Sequence, residues 1–409
     1  MLQPPPAEPG MSVDDIDTPA LVLDLDAFDA NLDLMAKFAA GAGVKVRPHA
    51  KTHKSPVIAK LQIARGAVGQ CVQKVAEAEI LAWGGVANIL VSNEVVSARK
   101  LARLAALSRI AEVAVCVDAE DGVRRLEAAA ESAGHRLTAL VEIDVGSARC
   151  GVAPGPEAIA LAQMIAASRH LRFGGLQAYH GSAQHRRSPE ERRASIAEAA
   201  SAVAALVEGL RKQKLDCAIV GGAGTGTFDL EAKSGIYTEL QVGSYIFMDA
   251  DYGRNQPAPP FRQALFVLSS VMSAARPGVA VIDAGHKAVA VDSGLPLVWN
   301  RPGAAYVGAS DEHGTLALDP KSEPMRLGER VWLAPGHCDP TVDRHDWYVG
   351  VRGSRVECLW PVAARGAMAS PRPEWPRSGR PRRISVDGMG SGVGVGPRRR
   401  LSARSRQGA

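Results

Sequence analysis

The segment at residues 44–54 (VKVRPHAKTHK) places a cation-forming side chain at every second position. Five residues share this alternation: Lys45, Arg47, His49, Lys51 and His53. If the segment ends a β-strand, alternate side chains lie on one face, and five charges on one face cannot all be core. A lysine crowded by other cations has a lowered pKa and is more nucleophilic, as an imine-forming lysine must be. The alternative is a solvated, basic strand end.

A glycine-rich stretch, GGAGTGT at residues 221–227, directly follows another strand-like run. Small residues let backbone N–H groups approach a phosphate, and the N-terminus of a following helix favours its negative charge. The stretch lacks the Gly-Lys-Ser/Thr ending of a Walker A motif. It therefore predicts either a phosphate site or an ordinary tight turn between a strand and a helix.

An imidazole and a carboxylate lie two residues apart in Gly336-His337-Cys338-Asp339-Pro340. On an extended segment, His337 and Asp339 face the same way and can bind one divalent cation, while Cys338 points away. An imidazole with a carboxylate suits Mn, Co, Zn or Mg better than a soft metal. A capped turn before Pro340 is the alternative.

Two further strand ends carry polar side chains. The sequence YHGSAQH at residues 179–185 offers an aromatic ring, Tyr179, and a candidate general base, His185. The sequence DVGSARCG at residues 144–151 offers Arg149, which can point into the same space. Structural histidines and a surface-loop arginine are the alternatives.

The elements that must position these residues follow a regular rhythm, in which strand-like and helix-like segments alternate. The eight strand-like runs are Val44–Pro48, Gly69–Val72, Asn88–Ser92, Glu112–Asp118, Leu137–Asp144, Leu171–Ala178, Cys217–Gly221 and Glu239–Gly243. Such alternation predicts a parallel sheet. Eight units over about 220 residues fit a closed (β/α)8 barrel, whose active sites lie at the C-terminal rim.

The rhythm stops near residues 253–260, and shorter strand-like runs between Gly, Pro and Asp turns follow. We therefore expect an α/β protein in which a smaller, mostly antiparallel β domain follows the barrel and can recruit an N-terminal strand at Ala20–Leu25. The expected regions are an extended arm at residues 1–17, the cofactor-binding barrel at 18–258, the β domain with the metal site at 259–366, and a disordered Arg-rich tail at 367–409.

The formal net charge of +5 comes from the tail, which carries ten arginines against Glu374 and Asp387. A nucleic-acid partner for the body of the chain is therefore not expected. No apolar run approaches the length of a membrane span, and the N-terminus (MLQPPPAEPG) has no features of a signal peptide. Six scattered cysteines without a CxxC pair indicate reduced thiols and predict a cytoplasmic location.

Together these motifs resemble those of the D-threonine aldolases, which belong to the alanine-racemase-like pyridoxal phosphate (PLP) enzymes. That group also includes the D-serine dehydratases. The resemblance rests on the segments RPHAKTHK, AYHG, GGAGTG and TELQVGS and on the motif GHCDP, and it covers about nine tenths of the chain, residues 15–366.

The resemblance implies roles for individual residues. Six would contact PLP: Lys51 as its covalent attachment, Arg149 at the pyridine nitrogen, Tyr179 along the cofactor, and Thr225, Gly243 and Ser244 at the phosphate. His337 and Asp339 would bind a divalent metal, first of all Mn²⁺, with Co²⁺, Mg²⁺ or Zn²⁺ as alternatives. His185 would take the proton of the substrate's β-hydroxyl group.

The implied function is retro-aldol cleavage of a small-molecule β-hydroxy-D-amino acid, such as D-threonine to glycine and acetaldehyde. The alternative is dehydration of D-serine or D-3-hydroxyaspartate, although that subgroup tends to have Cys at the position of Asp339. A racemase would need a second acid/base group and no metal. A non-catalytic PLP carrier would lack the β domain, and an RNA-binding tail would need interleaved aromatic residues. The resemblance also allows a homodimer.

Overall fold

Two β-sheets make up the fold in the computed structural model, which describes residues 3–299 and 301–369. The strands are β1 (Ala20–Asp24), β2 (Lys45–Val46), β3 (Gln70–Val72), β4 (Asn88–Glu94), β5 (Glu112–Val117), β6 (Leu137–Glu142), β7 (Leu171–Gln177), β8 (Ile219–Gly222), β9 (Glu239–Leu240), β10 (Leu265–Arg276), β11 (Val279–Ile282), β12 (Leu297–Trp299), β13 (Ala304–Ala309), β14 (Gly314–Leu318), β15 (Arg330–Ala334), β16 (Trp347–Arg352) and β17 (Arg355–Pro361). The helices are α1 (Leu25–Ala42), α2 (Pro56–Ala64), α3 (Val75–Trp83), α4 (Ala98–Leu107), α5 (Glu120–Ala133), α6 (Pro156–Ala167), α7 (Pro189–Lys212), α8 (Phe228–Lys233), α9 (Ala250–Gly253) and α10 (Cys338–Val342).

The first sheet is a parallel array of eight strands in the order β2-β9-β8-β7-β6-β5-β4-β3. A bridge between His49 and Cys71 joins the segment after β2 to β3 and closes the ring. At this closure the N–H of Cys71 donates to the Pro48 carbonyl, and the N–H of Ala50 donates to the Cys71 carbonyl. Strand β6 is buried along its whole length, as expected where helices cover a parallel sheet. The predicted (β/α)8 barrel is confirmed.

The second sheet has nine strands and forms the C-terminal β domain, which confirms the predicted fold class. Its pairs are antiparallel except for that between β1 and β16. Strand β1 lies between β10 and β16, so the N-terminal strand belongs to this domain. The sequence analysis did not predict β12 or β17. Both lie at edges, where exposure weakens the apolar alternation that identifies a strand.

The segment before β1 lies against the same domain. Ala7, Val13 and Ile16 are buried in a cluster with residues of β1 and β16, and the N–H of Gly10 donates to the carbonyl of Val356. Residues 370–409 of the predicted disordered tail lie outside the described residues. Within the described residues, no helix has the length and apolar character needed to cross a bilayer.

Helix α1 connects the two domains. It begins after Asp24, whose carboxylate accepts the N–H of Ala27, and it ends at Gly43, where a φ of 68° favours glycine. The fully buried ring of Phe28 contacts Phe247 from the barrel and Trp360 from the β domain, with ring centroids 6.5 Å and 5.8 Å away. One aromatic side chain therefore packs against both domains.

Replacing Phe28 with Ala is expected to lower the free energy of unfolding by about 3 to 5 kcal/mol, because it removes buried apolar contacts and leaves a cavity. Urea unfolding followed by circular dichroism measures the change. Leu34→Ala is the matched control on the same helix, because Leu34 is exposed and its truncation should change stability by only about 0.5 kcal/mol. Equal losses in the two variants would contradict the assigned role of Phe28.

Candidate active site

Lys51 lies in the turn after β2, and its ammonium group forms an ion pair with Asp339 of α10. The side chain keeps 42% of its surface exposed, so it faces an open mouth rather than the core. Partial loss of hydration lowers the pKa of Lys51, but the Asp339 carboxylate outweighs this effect and the net shift of the pKa is upward. The sequence analysis predicted a lowered pKa from neighbouring cations, and that prediction is wrong for this arrangement.

The other members of the alternating segment do not share a face with Lys51, because only Lys45–Val46 is regular strand and the chain turns after Pro48. Arg47 is buried and donates to the carboxylate of Glu239 over 2.7 Å. The remaining three are split between solvent and core: Lys45 is exposed, and His49 and His53 are buried. The prediction of five charges on one face is therefore wrong.

His337 lies at the N-terminus of α10 and is oriented by a neighbouring carboxylate. Its Nδ1 atom is 2.8 Å from Oδ2 of Asp292, which leaves Nε2 as the nitrogen available to a ligand. Metal-binding histidines usually make this kind of contact with their second nitrogen, so His337 fits a metal ligand.

Asp339 lies in the first turn of α10, two residues from His337. The predicted extended segment ends at His337, because a helix begins at Cys338 and Pro340 is readily accommodated in its first turn. Cys338 is fully buried. Burial raises the pKa of Asp339, but Lys51 and His337 outweigh it and the net shift is downward. The carboxylate is therefore ionised, as a metal ligand must be.

A metal at this position would have these two side chains as its protein ligands. Across residues 3–299 and 301–369, no group of three or more His, Cys, Asp and Glu side chains is arranged to hold a metal ion. One imidazole and one carboxylate suit a divalent ion such as Mn²⁺, Co²⁺, Mg²⁺ or Zn²⁺. Such a pair fits a loosely held ion with positions open to water and substrate.

His185 lies in a short 3-10 turn after β7 and is held by Asp251, with 2.5 Å between Nδ1 and Oδ2. Arg187 and Arg254 bind the other oxygen of the same carboxylate, each at 2.5 Å. These contacts outweigh burial and lower the pKa of Asp251. Because Nδ1 faces a permanent carboxylate, Nε2 of His185 is free to accept a proton.

Sequence reasoning missed Asp251, although a signal was present. The sequence Asp249-Ala250-Asp251 follows the eighth barrel strand by a few residues, and polar residues after a parallel strand face the rim. Asp292 offered no comparable signal, because it lies in an irregular loop of the β domain, 45 residues before His337.

The glycine-rich loop and the segment after β9 leave the barrel side by side, since Gly222 pairs with Leu240. Thr225 is buried, and its Oγ1 has no hydrogen-bond partner among the described residues. A Cβ atom on Gly243 would overlap Oγ1 of Thr52, so the chain passes closely there. An orphaned hydroxyl in a loop of small residues fits a phosphate.

Ser244 follows Gly243 and is buried at the start of a short 3-10 turn. The structure thus places all three predicted phosphate residues at the C-terminal ends of β8 and β9.

Tyr179 and Arg149 meet across the rim, with the guanidinium carbon 5.8 Å from the centre of the tyrosine ring. Burial raises the pKa of Tyr179, while the charges of Lys51 and Arg149 oppose the shift. The sequence analysis missed Glu142, whose carboxylate is 3.9 Å from Arg149. Burial and Glu94 raise the pKa of Glu142 to about 8.

Behind the glycine-rich loop, Glu231 is buried and accepts a hydrogen bond from Thr227 over 2.7 Å. Burial raises its pKa to about 8. The folded protein therefore keeps the proton of Glu231, whereas the unfolded chain releases it above pH about 4.3. The raised pKa contributes its full stability below that pH, and this contribution is lost as pH rises through the folded pKa.

Glu231→Gln keeps the hydrogen bond but cannot lose a proton, so wild-type stability should fall relative to the variant by about 1 to 3 kcal/mol between pH 5 and pH 8. Urea unfolding at each pH measures this difference. Asp229→Asn, on the same helix but partly exposed, is the control and should still lose stability with rising pH much as wild type does, because Asp229 is the smallest of the causes that raise the pKa of Glu231. Parallel profiles for Glu231→Gln and wild type would contradict a buried neutral Glu231.

Two family models match the chain over consecutive regions. The model described as "Alanine racemase, N-terminal domain" matches residues 23–251, and the model of a serine dehydratase domain matches residues 264–351. The first covers more than half of the chain. The change from one model to the other falls between β9 and β10, where the barrel ends and the β domain begins.

Similar proteins align with the chain over almost its full length. The 3-hydroxy-D-aspartate aldolase of Paracoccus denitrificans (strain Pd 1222) is 47% identical over 370 residues, which cover 88% of this chain and 95% of that protein. The D-threonine aldolase of an Arthrobacter species is 45% identical over 365 residues, with coverages of 89% and 96%. The crystal structure of D-threonine aldolase from Filomicrobium marinum has a TM-score of 0.88 at 49% identity, covering 90% of this chain and 100% of that chain.

These matches confirm the resemblance proposed from the sequence motifs. The chain is an enzyme of the alanine-racemase-like PLP family, and within it the chain belongs with the D-threonine and 3-hydroxy-D-aspartate aldolases.

Proposed function

We propose that this enzyme cleaves β-hydroxy-D-amino acids to glycine and an aldehyde, and that it uses PLP and a divalent metal ion. D-Threonine, which yields acetaldehyde, is the reference substrate. The observation that carries the proposal is the meeting of Lys51 from the barrel with Asp339 from the β domain, beside His337. The amine that PLP needs and the ligands that a metal needs share one mouth.

When bound, PLP supplies an electron sink for charge that develops at the substrate's α-carbon, and the metal supplies a Lewis acid for its β-hydroxyl group. Lys51 would hold the cofactor, and Thr225, Gly243 and Ser244 would bind its phosphate. Tyr179 would line the cofactor, and Arg149 would face its pyridine nitrogen. His337 and Asp339 would hold the metal.

His185 is the residue that would favour cleavage over dehydration. Its Nε2 is free because Asp251 engages Nδ1, so the imidazole can take the β-hydroxyl proton. Removing this proton lets the Cα–Cβ bond break and an aldehyde leave. In a dehydration a base removes the proton on Cα instead, and the β-hydroxyl group gains a proton and leaves as water, so a base at the hydroxyl group would favour cleavage.

Dehydration of D-serine or D-3-hydroxyaspartate is the second candidate, because the C-terminal domain matches a serine dehydratase domain. Asp339 argues against it, since the dehydratase subgroup tends to carry Cys at that position. The substrate of either reaction is a small molecule. The six cysteines are free thiols, which supports the proposed cytoplasmic location, and a homodimer remains part of the proposal.

Purified protein is expected to release acetaldehyde from D-threonine but not from L-threonine. EDTA should abolish the release of acetaldehyde while the visible absorption of bound PLP persists, and Mn²⁺ or Co²⁺ should restore the release.

Asp339→Ala should lower kcat by about a hundredfold, because Lewis-acid assistance is typically several kcal/mol. Formation of 2-oxobutyrate instead of acetaldehyde would support the dehydratase. Full activity in protein shown by elemental analysis to be metal-free would contradict the metal's role.

Borohydride reduction of the yellow protein should attach PLP to Lys51, and peptide mapping identifies the labelled residue. Lys54 and Lys287 are internal controls. Lys54 is buried against Glu77 at 2.8 Å, and Lys287 is exposed on the β domain and paired with Glu312. Lys51→Ala should lose both the visible absorption and activity. A label on either control lysine would refute the assignment.

A further inference from the structure

Asp249 is a buried carboxylate at the junction of the barrel and the β domain, with 2% of its surface exposed. It lies just before α9, and one oxygen accepts the N–H of Tyr252 over 3.0 Å, which caps that helix. Its other oxygen accepts the N–H of Cys338 over 3.0 Å, in the first turn of α10. A single carboxylate thus binds the N-terminal turns of two short helices from different domains.

The two helices carry the two halves of the proposed chemistry. Helix α9 contains Asp251, which orients the base His185. Helix α10 follows His337 and contains Asp339, the proposed metal ligands. Two backbone hydrogen bonds run alongside, because the N–H groups of residues 250 and 251 donate to the carbonyls of residues 335 and 336.

We propose that Asp249 is the positioning residue that sets the separation between the base His185 and the metal ligands His337 and Asp339. This inference rests on the proposed function. Cleavage requires the metal and the base to meet at one hydroxyl group, so a small displacement of either helix misaligns both. Asp249 contacts neither substrate nor metal in this role, and it acts through the two helices.

A simple helix cap would need only the bond to Tyr252. The bond to Cys338 adds nothing to α9 and instead fixes the segment that carries the metal ligands. A serine at position 249 separates the two roles, because serine is a good cap but its side chain is too short to hold both N–H groups.

In full-length, PLP-loaded Asp249→Ser, Mn²⁺ is expected to bind about tenfold to a hundredfold more weakly, the range typical of residues that support metal ligands. The electron paramagnetic resonance signal of free Mn²⁺, titrated without substrate, measures the affinity. At saturating Mn²⁺, kcat for D-threonine should remain lowered, with a smaller change in KM, while the visible PLP absorption stays as in wild type. Asp249→Asn, which keeps one good acceptor and the same volume, should shift Mn²⁺ affinity in the same direction and serves if the serine variant does not fold.

Asp24→Ser is the matched control, because Asp24 caps α1 through the N–H of Ala27 and lies outside the site. It should leave Mn²⁺ affinity and kcat unchanged. Equal losses in the Asp24 and Asp249 variants would show a general stability effect and overturn the inference, as would unchanged Mn²⁺ affinity and kcat in Asp249→Ser beside an active wild type. A wild type that neither binds Mn²⁺ nor cleaves D-threonine would instead contradict the proposed function itself.

Discussion

The packing of the barrel rim against the nine-stranded sheet is the constraint on which the proposed site depends, because neither domain alone carries all of its residues. Lys51 comes from the rim, whereas His337 and Asp339 come from the sheet side. One continuous apolar cluster crosses this junction and includes residues of β1, α1, the barrel and the sheet. Within this cluster, the hydroxyl of Tyr348 on β16 donates over 2.7 Å to the carbonyl of His53, two residues after Lys51. The turn that holds the lysine is therefore fixed by the other domain.

The same physical device orients both imidazoles of the site. Asp251 engages Nδ1 of His185, and Asp292 engages Nδ1 of His337, so in each ring Nε2 is the free nitrogen. The other neighbours of the two imidazoles differ. His185 lies beside the ring of Tyr252, with 5.5 Å between the ring centroids, whereas His337 lies two residues from the ionised carboxylate of Asp339. The proposed roles of the two histidines, as a base and as a metal ligand, therefore rest on different neighbours.

The barrel was predictable because strand and helix periods alternate regularly along the chain. The strand ends also predicted which candidate residues lie at the rim, while the roles of those residues stay predictions. The partners were not predictable, since Asp292 meets His337 through a loop that no periodicity describes. The prediction of a lowered pKa for Lys51 from neighbouring cations was also wrong. Alternation placed Arg47 beside Lys51, but the strand is only two residues long and Arg47 turns to Glu239 instead. The ion-pair partners of Arg47 and Lys51 come from distant parts of the chain rather than from their neighbours in sequence.

The hydrogen bonding of buried polar groups differs between the Arg47–Glu239 pair and the glycine-rich loop of the barrel. Arg47 binds Glu239 through two nitrogens at 2.7 Å and 3.1 Å, and Glu239 is the first residue of β9. That buried ion pair is fully matched. After β8, by contrast, the buried hydroxyl oxygen of Thr225 has no hydrogen-bond partner among the described residues. Leaving a buried polar atom unpaired costs about 1 to 3 kcal/mol, so the hydroxyl of Thr225 in the glycine-rich loop is a point at which a polar ligand would complete the structure.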